Sequence, residues 1–404
     1  MKIAMVSGHA SPLAAFGRLD ARGQTVHLAE LSAAMVRHGH AVTVYARRDD
    51  PDLPDRVVTD QGYTVVHVPA GPAERLPKDD LLQHMSAFAE YLDDEWAAAP
   101  PDVVHAHFWT SGIAAQLAAR AHRIPTVQTF HGLGVVKRRH QGEPETSLGA
   151  RLRLEKLVSR HATWVAATCN DEVFELVRLG RNRTSIAVVS CGVDLEKFST
   201  EGPIASRGER PRIIAVGRML PRKGFDTMIE ALPAIPDAEL VIVGGPAPEH
   251  LGDDPEVRRL QAVAAEFGVA DRVVFTGAVA RQDMPAMLRS ADVVTCTPWY
   301  EPFGIVTLEA MACGVPVVAS AVGGMRDTVV HDVTGRLVMP RRPRECAEAV
   351  TTILRDSFLR RSLGLAGRDR ACARYSWDRV AADTMRVYER LVPVVEESPQ
   401  SRSG

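Results

Sequence analysis

Several features that would mark a common protein class are missing from this chain. Its six cysteines, Cys169, Cys191, Cys296, Cys313, Cys346 and Cys372, are scattered, with no Cys-x-x-Cys pair and no histidine at zinc-site spacing. That pattern argues against a zinc centre or a disulfide framework and for reduced core thiols. No apolar run approaches a membrane span, and the opening MKIAMVSGHASPL meets glycine and proline too soon for a signal-peptide core. A cytoplasmic protein with no membrane insertion is therefore expected. The formal net charge of −2 gives no bulk attraction to nucleic acid or to an anionic bilayer, so any such contact would need a local patch. Low-complexity segments and short repeats are also lacking, which excludes a solenoid. No Gly-x-Gly-x-x-Gly turn follows the first apolar run, and Gly244-Gly245 runs straight into Pro246, so a dinucleotide-dependent oxidoreductase is poorly supported.

What is present is a soluble composition, 46% hydrophobic and 24% charged, over 404 residues. That length suits two domains of roughly 150–200 residues each. Continuous β-branched runs recur at 2–6, 41–46, 64–68, 102–107 and 125–131, separated by amphipathic segments such as 24–39 and 112–123. Runs without polar alternation suit strands buried on both faces of a parallel sheet. The alternation pauses at a polar stretch, 200–211, then restarts with RIIAVGR, AELVIVGG, RVVFTG, DVVTCTP and VPVVAS. Two doubly wound α/β domains, 1–195 and 196–377, are predicted to face each other across a cleft. The last residues, EESPQSRSG, read as a frayed tail.

Ligands of such folds lie beyond the carboxyl ends of the strands, so chemistry is sought there. Three strand ends stand out. In SGHASPLAAFGRLDARGQ a long loop enters a helix near Gly23, whose amides suit an anionic phosphate. In AVGRMLPRKGF, Arg218 and Lys223 flank a proline-containing loop and have the chemistry to clamp a diphosphate. In WYEPFGIVTLEAMACG, Glu301 lies in a turn and Glu309 about one turn into a helix, two acceptor-only groups suited to the hydroxyls of a sugar and a ribose. Each stretch also has a plainer account: a surface connection, a solvated loop, or a carboxylate that caps a helix or pairs with a lysine or arginine.

Glu301 and Glu309 with the intervening PFGIVTL resemble the E-x7-E signature of retaining GT-B glycosyltransferases of family 4. GVDLEKF at 192–198, GRMLPRKG, VVASAVGGMRDTV at 317–329 and HDVTGRLV at 331–338 are similar to that family in the same order. The amino-terminal half, with HAHFWTSG at 105–112, is most similar to the branch holding D-inositol 3-phosphate glycosyltransferase and sucrose-phosphate synthase. The resemblance implies that Gly23, Arg218 and Lys223 bind a donor diphosphate and that Glu309 holds the nucleotide ribose. It gives the donor sugar to Glu301 with the backbone of Phe303, Gly304 and Ile305. His131, in TFHGLG, matches the active-site histidine beside the transferred sugar, where its glycine neighbours are expected to leave it exposed to the cleft. Arg281 falls where the family packs the base. The resemblance further implies that the last helix, around 378–395, crosses back at YSWD onto the first domain.

The implied reaction moves a hexosyl group, glucosyl or N-acetylglucosaminyl, from a UDP-linked donor to an acceptor hydroxyl. No metal is implied, since no acidic pair of the DxD type sits at a strand end, and no cofactor beyond the nucleotide sugar. Lys78, Arg151 and Arg153 lie near acceptor-side positions. The chain departs from the pattern at Arg22, which replaces the first glycine of a usual pair. It also departs at Phe108 and Gly132, where the inositol-phosphate branch has tyrosine and threonine. With two hydroxyls missing, a neutral or cationic acceptor, for example a cyclitol or aminocyclitol, is expected, while Lys78, Arg151 and Arg153 keep an anionic one open. The basic run at 137–140 is open to a role there or to plain solvation. A GDP-mannose donor, a nucleotide-sugar-binding protein without turnover, and a homodimer stay open.

Overall fold

The computed structural model describes residues 1–15, 23–141 and 148–392; Arg22 and the tail at 396–404 lie outside them. The first sheet contains β1 (Lys2–Ser7), β2 (Ala41–Arg47), β3 (Arg56–Val58), β4 (Thr64–Val68), β5 (Val103–His107), β6 (Thr126–Thr129), β7 (Trp164–Ala167) and β8 (Ile186–Val188). Its order is β3-β4-β2-β1-β5-β6-β7-β8, parallel except where β3 runs antiparallel to β4. The second sheet contains β9 (Arg212–Val216), β10 (Glu239–Val243), β11 (Val273–Gly277), β12 (Val293–Cys296), β13 (Val317–Ser320) and β14 (Arg336–Val338). Its order is β11-β10-β9-β12-β13-β14, all parallel.

Strand order reverses between β1 and β5 in the first sheet and between β9 and β12 in the second. At such a reversal the loops leaving neighbouring strands diverge to opposite faces and open a crevice. Every residue singled out at a strand end therefore has a topological reason to be near a ligand. Lys223 follows β9 and Glu301 follows β12. Phe108 follows β5, and His131 follows the adjacent β6.

Five of the six free cysteines are buried core thiols; Cys372 is exposed on the helix Ser357–Tyr375. The helix Gly23–Arg37 is buried nearly all round, from Gln24 to Met35. A helix needs that composition only when it is covered on both sides. The first sheet covers one side, and the helix Trp377–Glu389 covers the other, returning from the second half of the chain. Trp377, Val380, Ala381, Met385 and Tyr388 join Ile3, Leu28, Leu31 and Val44 in one core. The crossing is tied by Val193, whose N–H donates to the Tyr375 carbonyl at 2.7 Å, and by a backbone bridge from Val193 to Ser376. Ser376 then caps the returning helix by accepting from the Arg379 N–H at 3.2 Å. Across the domains, Asp327 accepts from the Asn170 backbone N–H at 2.7 Å and from its side-chain amide at 3.1 Å. Among the described residues no helix is long and apolar enough to cross a membrane.

Candidate active site

Two loops of the second domain form one end of the site. After β9 the chain makes a short 3-10 turn, Pro221–Lys223, and reverses at Gly224 with φ 67°. A Cβ at Gly224 would lie 2.0 Å from the Thr297 carbonyl oxygen, so glycine is required for the β9 loop to sit on the β12 loop. The Thr297 hydroxyl donates to the Gly224 carbonyl at 2.8 Å, and the Trp299 N–H to the Arg222 carbonyl at 2.9 Å. These contacts bring the Lys223 ammonium to 2.6 Å from the Glu301 carboxylate. Behind Glu301, the Gly324 N–H donates to the Glu301 carbonyl at 3.0 Å, so the Gly-Gly of the 317–329 motif braces the turn.

The helix Ile305–Ala312 begins after Gly304, at φ 71°, with the backbone of Phe303, Gly304 and Ile305 at its mouth. Glu309 lies one turn inside, and the Arg281 guanidinium donates to it at 2.8 Å. Arg281 thus meets the carboxylate assigned to a ribose, which the sequence did not suggest. Both glutamates realise the plain ion-pair alternative, with side chains 14% and 4% exposed, and both lie at the mouth or in the first turns of one helix. Burial works against ionisation of both. At Glu301, Lys223 with Arg222 and Arg218 more than compensates, holding the carboxyl below its ordinary value. At Glu309, burial outweighs Arg281 and the carboxyl lies above its ordinary value. Arg218 itself is exposed.

The first domain supplies the facing wall. Ile305 reaches Gly23, where a Cβ would meet it at 3.1 Å, and Phe303 packs 5.3 Å from the ring of His131 and 6.1 Å from that of His27. His131 adopts a left-handed backbone, φ 58°, and its ring is largely enclosed by Phe303, His27 and His107, contrary to the exposure expected from its glycine neighbours. Burial, with His27, His9, His105 and Lys78 nearby, holds the imidazole well below its usual range and therefore neutral. Sequence reasoning overlooked the histidines around it. His105 and His107 share one face of β5 because they are two residues apart, a spacing visible in the HAH motif.

Among the residues expected to meet an acceptor, Phe108 opens the helix Trp109–His122 with φ 79°. Lys78 stands 4.8 Å over its ring and Arg151 5.3 Å. Arg151 donates to Glu155 at 2.8 Å and to the Gly132 carbonyl at 3.1 Å, so a buried carboxylate matches its charge. Glu155 in turn accepts the Gly134 N–H at 2.8 Å, and burial keeps its carboxyl above the ordinary value despite Arg151. Gly132 has φ 123°, a conformation closed to a β-branched residue, and faces Pro302 of the other domain. Arg153 is exposed and is not gathered with the others. In the basic run, Arg139 pairs with Glu175 at 2.9 Å and the His140 ring stacks on Tyr300. Among the described residues no cluster of three or more histidine, cysteine or acidic groups is placed to hold a metal.

Comparison with known proteins agrees with this architecture. Residues 21–197 match Glycosyltransferase Family 4, and residues 197–370 match Glycosyl transferases group 1. The chain is 37% identical over 410 residues to a D-inositol 3-phosphate glycosyltransferase of Xylanimonas cellulosilytica, covering 96% of each. It is likewise 37% identical to that of Jonesia denitrificans, again covering 96% of each. Sucrose-phosphate synthase from Thermosynechococcus elongatus superposes with a TM-score of 0.85 at 31% identity, covering 97% of this chain and 99% of that one. With two facing doubly wound domains and matches running the length of both, the chain is a GT-B glycosyltransferase belonging to family 4, of the branch that D-inositol 3-phosphate glycosyltransferase and sucrose-phosphate synthase represent.

Proposed function

We propose that the protein transfers a hexosyl group, glucosyl or N-acetylglucosaminyl, from a UDP-linked donor to a cyclitol hydroxyl, with retention of anomeric configuration. The observation that carries this reading is the pairing of Lys223 with Glu301 and of Arg281 with Glu309 around one helix mouth. In the reading, the donor diphosphate takes Lys223 and Arg218, while Glu301 and Glu309 turn to sugar and ribose hydroxyls. As the sugar–phosphate bond breaks, charge grows on the departing nucleoside diphosphate. Fixed cations in an enclosed cleft stabilise that charge most in the transition state. The Gly23 helix terminus adds amides of the same electrostatic sense. His131, a neutral ring, has the chemistry to orient the sugar by hydrogen bonding, not to supply charge.

Cyclitol chemistry at the acceptor is supported by the named relatives. A phosphate on that acceptor would meet Lys78 and an arginine already matched by Glu155, without the two hydroxyls of the inositol-phosphate branch. A phosphate is therefore expected to improve kcat/KM by less than tenfold, about 1.4 kcal/mol. The test incubates the protein with UDP-glucose, UDP-N-acetylglucosamine and GDP-mannose against inositol, inositol phosphate and aminocyclitols, following nucleoside diphosphate release and the product's anomeric proton. Transfer from the GDP sugar alone overturns the donor assignment. Tight donor binding without release under any acceptor leaves a binding protein. An inverted product removes the retaining mechanism.

A further inference from the structure

His131 has a partner that the glycosyl-transfer reading leaves without a task. Its Nε2 lies 2.8 Å from Nδ1 of His107, with the ring centroids 5.1 Å apart and the planes inclined by 22°, near the edge-to-edge arrangement that an in-plane N–H···N bond needs. The outward nitrogens of the pair, Nδ1 of His131 and Nε2 of His107, are buried and have no hydrogen-bond partner among the described residues. Buried polar atoms are seldom left unpaired, and exceptions tend to mark strain or a missing ligand. The backbone at His131 is itself in the left-handed region, so the ring is held there by its surroundings.

A neighbouring ring shows how firmly this core fixes imidazoles. The Thr129 hydroxyl donates to the Ala166 carbonyl at 3.0 Å and so accepts from Nε2 of His105 at 2.8 Å. That leaves Nδ1 of His105 as the acceptor for the Tyr388 hydroxyl at 2.7 Å. His105 is fully specified, and its ring stacks at 4.3 Å on His107. His107 is thus wedged between a fixed ring and His131, and its only free variable is the proton it shares with His131.

We propose that His107 is a positioning residue for His131: by occupying Nε2 it fixes the ring plane and leaves Nδ1 as the one nitrogen of that ring still to be paired, the atom a donor sugar would bond on displacing the side chains that now cover it. One proton lies between the two rings, donated by either, and both rings stay neutral. The groups that bear on it are His9, His27, His105 and Lys78; all would oppose a charge on His131. The consequence for sugar binding rests on the reading of His131 as bordering the transferred sugar, whereas the coupling of the two rings does not.

The experiment therefore has two arms. In the wild-type enzyme labelled with 15N-histidine, long-range proton–nitrogen correlation, assigned with His131→Gln, is expected to show His131 neutral from pH 5 to 8 with one tautomer dominant. A ring averaging freely between tautomers, or titrating near 6.5, overturns the proposal whether or not any transfer is found. In the second arm, His107→Asn keeps an amide at the Nδ1 position and His107→Gln moves it to the Nε2 position. The Asn variant is expected to keep turnover within about threefold. The Gln variant should lose about tenfold or more, a usual cost of removing the partner that orients a functional histidine, with donor KM little changed. Equal turnover in the two variants overturns the positioning role, since a merely structural histidine would lower melting temperature in both without separating them. Absence of transfer by the wild type would fail the functional reading alone, because the nitrogen spectra still judge the ring pair.

Discussion

At the scale of single residues, the two glutamates make separable predictions because they are held in opposite ways. Glu309→Gln is expected to weaken free nucleoside diphosphate by about tenfold, the worth of a hydrogen bond to a charged group. Glu301→Gln should leave that affinity unchanged or raise it, since it releases Lys223, while weakening the intact nucleotide sugar; titration calorimetry with both ligands checks this. Lys223→Ala should lower turnover at saturating donor by about 10²-fold or more, read from initial rates. The pH dependence of stability has opposite signs at the two sites. Glu309 lies above its ordinary value of 4.5, so its native state binds the extra proton and its contribution falls as pH rises through the window above that value. Glu301 lies below 4.5, so its contribution is present above that value and is lost as pH falls beneath it. The melting-temperature difference between wild type and Glu309→Gln should therefore grow on acidification, and that for Glu301→Gln should shrink. At the acceptor, Phe108→Tyr restores a hydroxyl on an unchanged backbone and is expected to raise kcat/KM for inositol phosphate by about tenfold. Gly132→Thr should not, because φ 123° refuses a β-branched residue.

At the scale of elements, the chain announced its longer strands and concealed its pairings. β1, β2, β4, β5 and β6 read directly from continuous apolar runs because each is buried on both faces. β3, β7, β8 and β14 escaped: each is only three or four residues long and does not stand out as a run of its own, and β3 also sits at an exposed edge and runs antiparallel. The helix at Glu309 was visible from its spacing and its terminal Gly314, but the bond from Lys223 to Glu301 spans 78 positions and leaves no local trace. What joins them is loop-on-loop packing after β9 and β12, and Gly224 is where that packing is tightest. Gly224→Ala would force a Cβ into the Thr297 carbonyl at a positive φ, a cost of about 2 kcal/mol or more. Chemical denaturation should report that loss, and donor affinity should fall with it because Lys223 and Glu301 move apart.

At the scale of the whole molecule, the two domains differ in how far each owns its core. The second domain's two clusters draw on residues from Val193 to Tyr375 and need nothing from the first sheet. The first domain takes Trp377, Val380, Ala381, Met385 and Tyr388 from the far end of the chain. A chain ending at Ser376 is therefore expected to keep a folded second domain and lose cooperative melting of the first, seen as one missing transition by calorimetry. Gly192 makes the fit specific, since a Cβ there would lie 2.6 Å from the Trp377 ring. The same return path fixes an order of events during synthesis. When the ribosome has released the entire first sheet, the outward face of the helix Gly23–Arg37 has no cover, and it gains one only after nearly two hundred further residues have been translated. The half of the enzyme that is made first is the half that must be finished last, so a nascent chain is expected to expose an apolar helix face through that interval. A permuted gene that places residues 377–392 ahead of Met1 would abolish the wait.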